Sequence, residues 1–85
     1  MALTVSVVSA ESSLWTGEAT QVIAKTVEGE IGILTGHEPL LAILVPGDIR
    51  ITTTAGDVVS ASASDGFLSV DNNTVSIVAG QAQLA

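Results

Sequence analysis

Apolar and polar side chains alternate along most of this chain. Leu3, Val5 and Val7 keep one parity, as do Val22 and Ala24, then Val59, Ala61 and Ala63, then Val75, Ile77 and Ala79. A period of two places each such set on one face of a pleated strand. Valine, isoleucine and threonine fill 27 of the 85 positions, and branching at Cβ suits a sheet better than a helix. No stretch carries apolar residues at helical spacing between recognisable caps. Turn residues punctuate the alternation at Glu28-Gly29, Pro46-Gly47, Ala55-Gly56-Asp57, Asp65-Gly66 and Asp71-Asn72-Asn73-Thr74. Glycine and asparagine accept the left-handed backbone that such turns use, and Pro46 presets φ ahead of a positive φ at Gly47. Ser9 to Ser13 reads as a further turn, and Gly17 separates a short strand at Leu14-Trp15 from one over Thr20 to Val27. The expected fold is all-β, a flattened antiparallel β-sandwich or barrel of about eight to ten short strands. Antiparallel pairing is expected because the turns are too short for crossovers.

At this length residues 1–85 form one domain, which buries only roughly 60% of the surface its unfolded chain exposes. Hydrophobic residues nevertheless make up 47% of the chain. Apolar surface beyond what a small core absorbs is expected to meet a partner. Cysteine is absent and His37 is the only histidine, so neither a disulfide nor a zinc site is expected. Nine acids against Lys25 and Arg50 give a net charge of −7. Two cations cannot make the basic stripe that nucleic acid requires, nor dock the chain on anionic lipid. The longest apolar run, Leu40 to Val45, is far short of the ~20 residues that span a bilayer. No basic segment precedes an apolar one at the N-terminus, so no secretory leader is expected and the reading is cytoplasmic.

The stretch from Glu28 to Gly47 stands apart. It holds four of the eight glycines, both prolines and the single histidine. Two strands joined by a shaped polar loop are the natural reading, with Ile31 and Ile33 on one face before the loop. Leu40 to Val45, almost wholly apolar, is expected to be buried on both sides. Pro39 biases Glu38 to extended geometry and stiffens Gly36-His37-Glu38-Pro39. A stiff tip loses little entropy on binding; a solvated turn is the equal alternative on the residues alone. Trp15 is expected to anchor the core or half-core. Lys25 reads as a solvated edge lysine that discourages sheet-to-sheet association.

Catalysis finds little support. His37 is of a residue type widely used as a general base, but no tyrosine, cysteine or second histidine exists to join it. No nucleophile elbow, phosphate-binding glycine loop or calcium-loop spacing is present. No cofactor and no metal are expected.

The blocks Gly29-Glu30-Ile31-Gly32-Ile33, Gly36-His37-Glu38-Pro39-Leu40-Leu41 and Pro46-Gly47-Asp48-Ile49-Arg50-Ile51 closely resemble the epsilon-subunit family of F-type, proton-translocating ATP synthases. So do Val7-Val8-Ser9-Ala10-Glu11 with Trp15-Thr16-Gly17, and Gly66-Phe67-Leu68-Ser69-Val70 with Val75-Ser76-Ile77-Val78-Ala79. They follow in order from about Leu3 to Ala82. The resemblance implies a ten-stranded β-sandwich in the central stalk, bound to the gamma subunit and resting on the membrane rotor ring (the c-ring). Such a subunit couples proton flow to ATP synthesis on other subunits without catalysing anything itself, at the cytoplasmic side of the cell membrane. Carried over by position, Glu30 matches an acidic loop residue facing the polar loops of the ring. Gly36, His37, Glu38 and Ala42 match positions against gamma or the ring, and Ser9 one near gamma. Thr35 stands where the family commonly has proline, so a looser start to the loop is expected. Many members carry a C-terminal helical hairpin, which this sequence ending at Ala85 does not include; nucleotide binding is therefore not expected. The alternative is a biotinyl or lipoyl carrier domain modified at Lys25, although Lys25 lies in Ala24-Lys25-Thr26 without flanking turn residues.

Overall fold

The computed structural model describes residues 2–9 and 12–84. Among the described residues seven strands make up the fold: β1 (Leu3–Ser9), β2 (Ser13–Thr26), β3 (Gly29–Leu34), β4 (Leu40–Ile43), β5 (Gly47–Thr53), β6 (Val58–Asp71) and β7 (Thr74–Leu84). Hydrogen-bonded neighbours run β1-β7-β6-β5-β2-β3, with β4 on β6, and a β1–β2 pairing closes the path into a barrel. The closed path is flattened into two layers, in a body of 30 × 24 × 18 Å. The first layer holds β4, the second half of β6, the first half of β7, β1 and the start of β2. The second holds β3, the rest of β2, β5, the start of β6 and the end of β7.

The all-β sandwich expected from alternation is the observed class. Its strands are fewer because three of them are longer, each serving both layers. Gly17 does not break β2, which runs fourteen residues through it. A Cβ there would stand 2.8 Å from the Trp15 ring, so the glycine makes room for the half-buried indole, which packs on the core. The extra residue in β2 is instead Thr20, since Ala19 faces Thr53 while Gln21 faces Thr52. Such a bulge switches the inward parity: Ala19 is buried before it, Val22, Ala24 and Thr26 after it.

Asp65-Gly66 also lies inside a strand rather than at its end. Both residues take positive φ, 50° and 140°, and the inward set of β6 changes from Ala61 and Ala63 to Leu68 and Val70. Beside it β7 changes at Gly80, from Val75, Ile77 and Ala79 to Ala82. The two strands turn the corner between layers together, so Gln81 to Leu84 continue β7 rather than forming a separate edge strand. The turns at Glu28-Gly29, Ala55-Gly56-Asp57 and Asn72-Asn73 are present, with φ of 116°, 94°, and 51° and 59° at Gly29, Gly56, Asn72 and Asn73. Gly47 does not take positive φ; the Lys25 side chain lies across it, 2.9 Å from where a Cβ would be. Of the turn expected over Ser9 to Ser13, Ala10 and Glu11 lie outside the described residues.

Pairing is antiparallel except between β1 and β7, which run parallel from Thr4↔Thr74 to Ser9↔Ala79. Short turns force antiparallel neighbours, but these are the first and last strands and no turn joins them. The barrel closes by laying them side by side. Between the layers lie Leu3, Val5, Val7, Val22, Ile33, Ile49, Ile51, Leu68, Val75 and Ile77, all essentially inaccessible. Burying each such aliphatic side chain is worth about 1.5–3 kcal/mol. The buried Thr26 hydroxyl donates to the Gly29 carbonyl at 2.8 Å and accepts from the Glu28 amide at 3.1 Å, closing the β2–β3 turn.

Candidate functional site

The loop from Thr35 to Pro39 joins β3 to β4 and is tied down along its length. The Gly36 amide donates to Asn73 Oδ1 at 2.7 Å, across from the β6–β7 turn. The His37 amide donates to the Leu34 carbonyl at 3.2 Å. The His37 ring folds back so that Nδ1 meets the Glu38 carbonyl at 2.7 Å. A carbonyl only accepts, so Nδ1 carries the hydrogen and Nε2 is left for a partner. Thr35, where a looser start is expected, is followed by two amides that are both hydrogen-bonded, those of Gly36 and His37. His37 is half-buried, while Gly36 and Glu38 are exposed.

The loop delivers the chain into β4, whose outward face is bare. Leu41 is 71% exposed, Ile43 60% and Phe67 42%. Burial of Leu40 to Val45 on both sides therefore fails: β4 ladders with β6 and meets the end of β2 only through single bonds such as Val27 amide to Ile43 carbonyl, and its alternate residues point away from the core. Register aligns Ile43 with Phe67, Phe67 with Val78, and Val78 with Val8. These four form an apolar row across the outer face of the first layer. Leu41 begins the next row, which continues through Ser69, Ser76 and Ser6.

The residues singled out in sequence fall into two groups. Gly36, His37 and Glu38 sit at the loop beside the start of β4. Ala42 is half-buried opposite Leu68 and points inward between Leu41 and Ile43. Ser9 follows Val8, at the far end of the apolar row, and pairs with Ala79. Its hydroxyl donates to the Ser12 carbonyl at 3.2 Å. Glu30 is separate: it lies in β3 rather than a loop, exposed on the outer face of the second layer.

Glu30 has both cations of the chain for company. Lys25 is directly across the β2–β3 ladder. Arg50 reaches over β2 to place Nη2 3.9 Å from Glu30 Oε2, with both side chains 54% exposed. Lys25 is not an edge residue, since β3 lies on one side of it and its carbonyl accepts from the Val45 amide at 3.2 Å on the other. An ion pair this open contributes about 0–1 kcal/mol. Arg50→Gln is expected to shift the melting temperature by no more than about 5 °C, as circular dichroism melts at low and high salt will check. Among the described residues no three side chains of metal-binding type come together.

Sequence reasoning missed Leu41, Ile43, Phe67 and Asn73. The first three carried a signal in the surplus of apolar residues, though not in their positions. Asn73 carried none beyond its place in a turn.

Residues 2–85 match the family described as ATP synthase, Delta/Epsilon chain, beta-sandwich domain. The chain is 51% identical over 82 residues to the ATP synthase epsilon chain of Micrococcus luteus, covering 96% of this chain and 90% of that one. It is 44% identical over 84 residues to the epsilon chain of Frankia casuarinae, covering 99% of both. Its fold superimposes with a TM-score of 0.91, at 25% identity, on a chain in the cryo-EM structure of Euglena gracilis mitochondrial ATP synthase, OSCP/F1/c-ring in rotational state 1. That match covers 98% of this chain, which spans about half, 53%, of the Euglena one.

Proposed function

The chain belongs to the ATP synthase delta/epsilon-chain β-sandwich family, and on that premise we propose that it is a non-catalytic rotor subunit of the central stalk. Its outer first-layer face grips the gamma subunit, and Glu30 on the second layer addresses the polar loops of the c-ring. It thereby helps couple proton translocation to ATP synthesis from the cytoplasmic side of the membrane.

The observation that carries this reading is the row Ile43, Phe67, Val78 and Val8, with Leu41 between it and the loop and Ser9 following Val8 at its far end. An apolar strip rimmed by polar groups suits a lasting protein contact, where anchor side chains are desolvated and the rim excludes water. Glu30 suits a different kind of contact. An exposed carboxylate balanced by Arg50 meets polar loops without burying bare charge. Two faces of distinct chemistry fit a subunit held between two partners. The carrier-domain alternative at Lys25 is set aside: the relatives are epsilon chains, and Lys25 lies inside a sheet.

Mixing this chain with purified gamma subunit should give a stable complex on gel filtration, and no co-elution at micromolar concentration would refute the assignment. His37→Ala should weaken binding to gamma by roughly three- to thirtyfold, the range of losing one or two polar contacts at an interface. Glu30→Ala should leave gamma binding unchanged and weaken association with the assembled c-ring. Both variants should melt within a few degrees of the parent, since neither side chain is in the core.

A further inference from the structure

We infer that Asn73 is a positioning residue for the docking loop, acting through the backbone of Gly36. The inference rests on the docking reading of that loop. Asn73 belongs to the two-residue turn between β6 and β7, where φ is 51° at Asn72 and 59° at Asn73. Both values positive identify a type I′ turn, matched to the twist of a hairpin. The turn alone needs only a residue that tolerates this backbone, and glycine tolerates it better. What asparagine adds is its side-chain oxygen, which accepts from the Gly36 amide at 2.7 Å across 37 residues of sequence. Its own carbonyl accepts from the Thr4 amide at 2.8 Å. One residue thus fastens the loop to the turn and the turn to the start of β1.

The consequence runs along the loop. Gly36 sits at φ 83° with nothing within 4 Å of where a Cβ would stand, so no neighbour packs on that side of it. Held by Asn73, it sets the position from which the His37 ring folds back onto the Glu38 carbonyl, leaving Nε2 for a partner. Without the clasp the loop must order itself on binding, and that ordering subtracts from affinity. A single hydrogen bond of this kind changes an equilibrium roughly two- to tenfold.

The test uses Asn73→Gly, which keeps the turn and removes the acceptor, and Asn73→Asp, which restores an acceptor and also tolerates left-handed backbone. Hydrogen exchange of the Gly36 amide is followed by NMR in the free chain, and affinity for the gamma subunit by titration. Asn73→Gly should exchange Gly36 at least about threefold faster, leave the Thr4 amide unchanged and bind roughly two- to tenfold more weakly. Asn73→Asp should restore both exchange and affinity. Unchanged Gly36 exchange in Asn73→Gly would overturn the clasp itself. Faster exchange with undiminished affinity would overturn its role in docking. If the parent chain fails to bind gamma, the docking reading has failed first and the inference falls with it, whereas parent binding with an indifferent Asn73→Gly removes the inference alone.

Discussion

Gly66→Ala should remove most of this protein's stability. A Cβ at Gly66 would stand 2.0 Å from the Val78 carbonyl oxygen, 2.6 Å from Ala79 Cα and 2.9 Å from the Val78 carbonyl carbon. All three are backbone atoms of the neighbouring strand, so no side chain can swing aside. The residue also sits at φ 140°, where an alanine is strained whatever the space. Backbone strain of about 1–3 kcal/mol and an overpacking penalty of similar size sum to roughly 2–6 kcal/mol, with a midpoint of about 4. A small domain has on the order of 5 kcal/mol to lose. The melting temperature should fall by about 15–30 °C, at about 4–8 °C per kcal/mol. The position is also structural for β4, because the Gly66 carbonyl accepts from the Leu44 amide at 3.0 Å. Gly56→Ala separates crowding from backbone strain: Gly56 has φ 94° and nothing within 4 Å of an added Cβ. It should cost only about 1–2 kcal/mol. Equal urea midpoints for the two variants would show that the close approach of β6 to β7 is not what requires glycine.

That contrast also shows what was legible in the sequence. Parity is local, so Leu3, Val5 and Val7 or Val75, Ile77 and Ala79 announce their face without reference to the rest of the chain. The Asn72-Asn73 turn is equally local, because its backbone preference resides in the residues themselves. A glycine inside an alternating run is ambiguous. Gly17 and Gly66 read as breaks, yet one clears space for the Trp15 ring and the other for the backbone of β7. Which holds depends on a neighbour distant in sequence. The parallel pairing of β1 with β7 is hidden for the same reason, being the closure of a barrel rather than the product of a turn. Of the site, the loop Gly36-His37-Glu38-Pro39 and Glu30 could be named from resemblance. The apolar row could not, since Ile43, Phe67, Val78 and Val8 come from four strands and meet only through register. The Gly36–Asn73 bond joins two turns that nothing in the intervening residues connects.

Ile43→Glu should abolish docking on gamma while sparing the fold. Ile43 is 60% exposed in the free chain, so a carboxylate there stays hydrated and removes little buried area. Its carbonyl still accepts from the Val27 amide at 3.0 Å, because that bond is made by the backbone. The melting temperature should move by less than about 5 °C, as surface changes stay within about 0.5 kcal/mol. In the complex the same carboxylate would lie at the head of the apolar row, against Phe67, with its water stripped away. An anchor residue at the centre of an interface is worth about 2 kcal/mol or more on truncation, and an unpaired charge adds its own desolvation. Affinity should therefore fall by at least about thirtyfold, and co-elution with gamma should be lost. Val58→Glu supplies the control, since Val58 is 59% exposed but belongs to the start of β6, in the second layer. Introducing the same charge at nearly the same exposure isolates location from chemistry. If Val58→Glu weakens gamma binding as much as Ile43→Glu does, general repulsion from an already acidic chain is the cause. If only Ile43→Glu does, the first-layer face is the grip, and the second layer is free to meet the ring through Glu30.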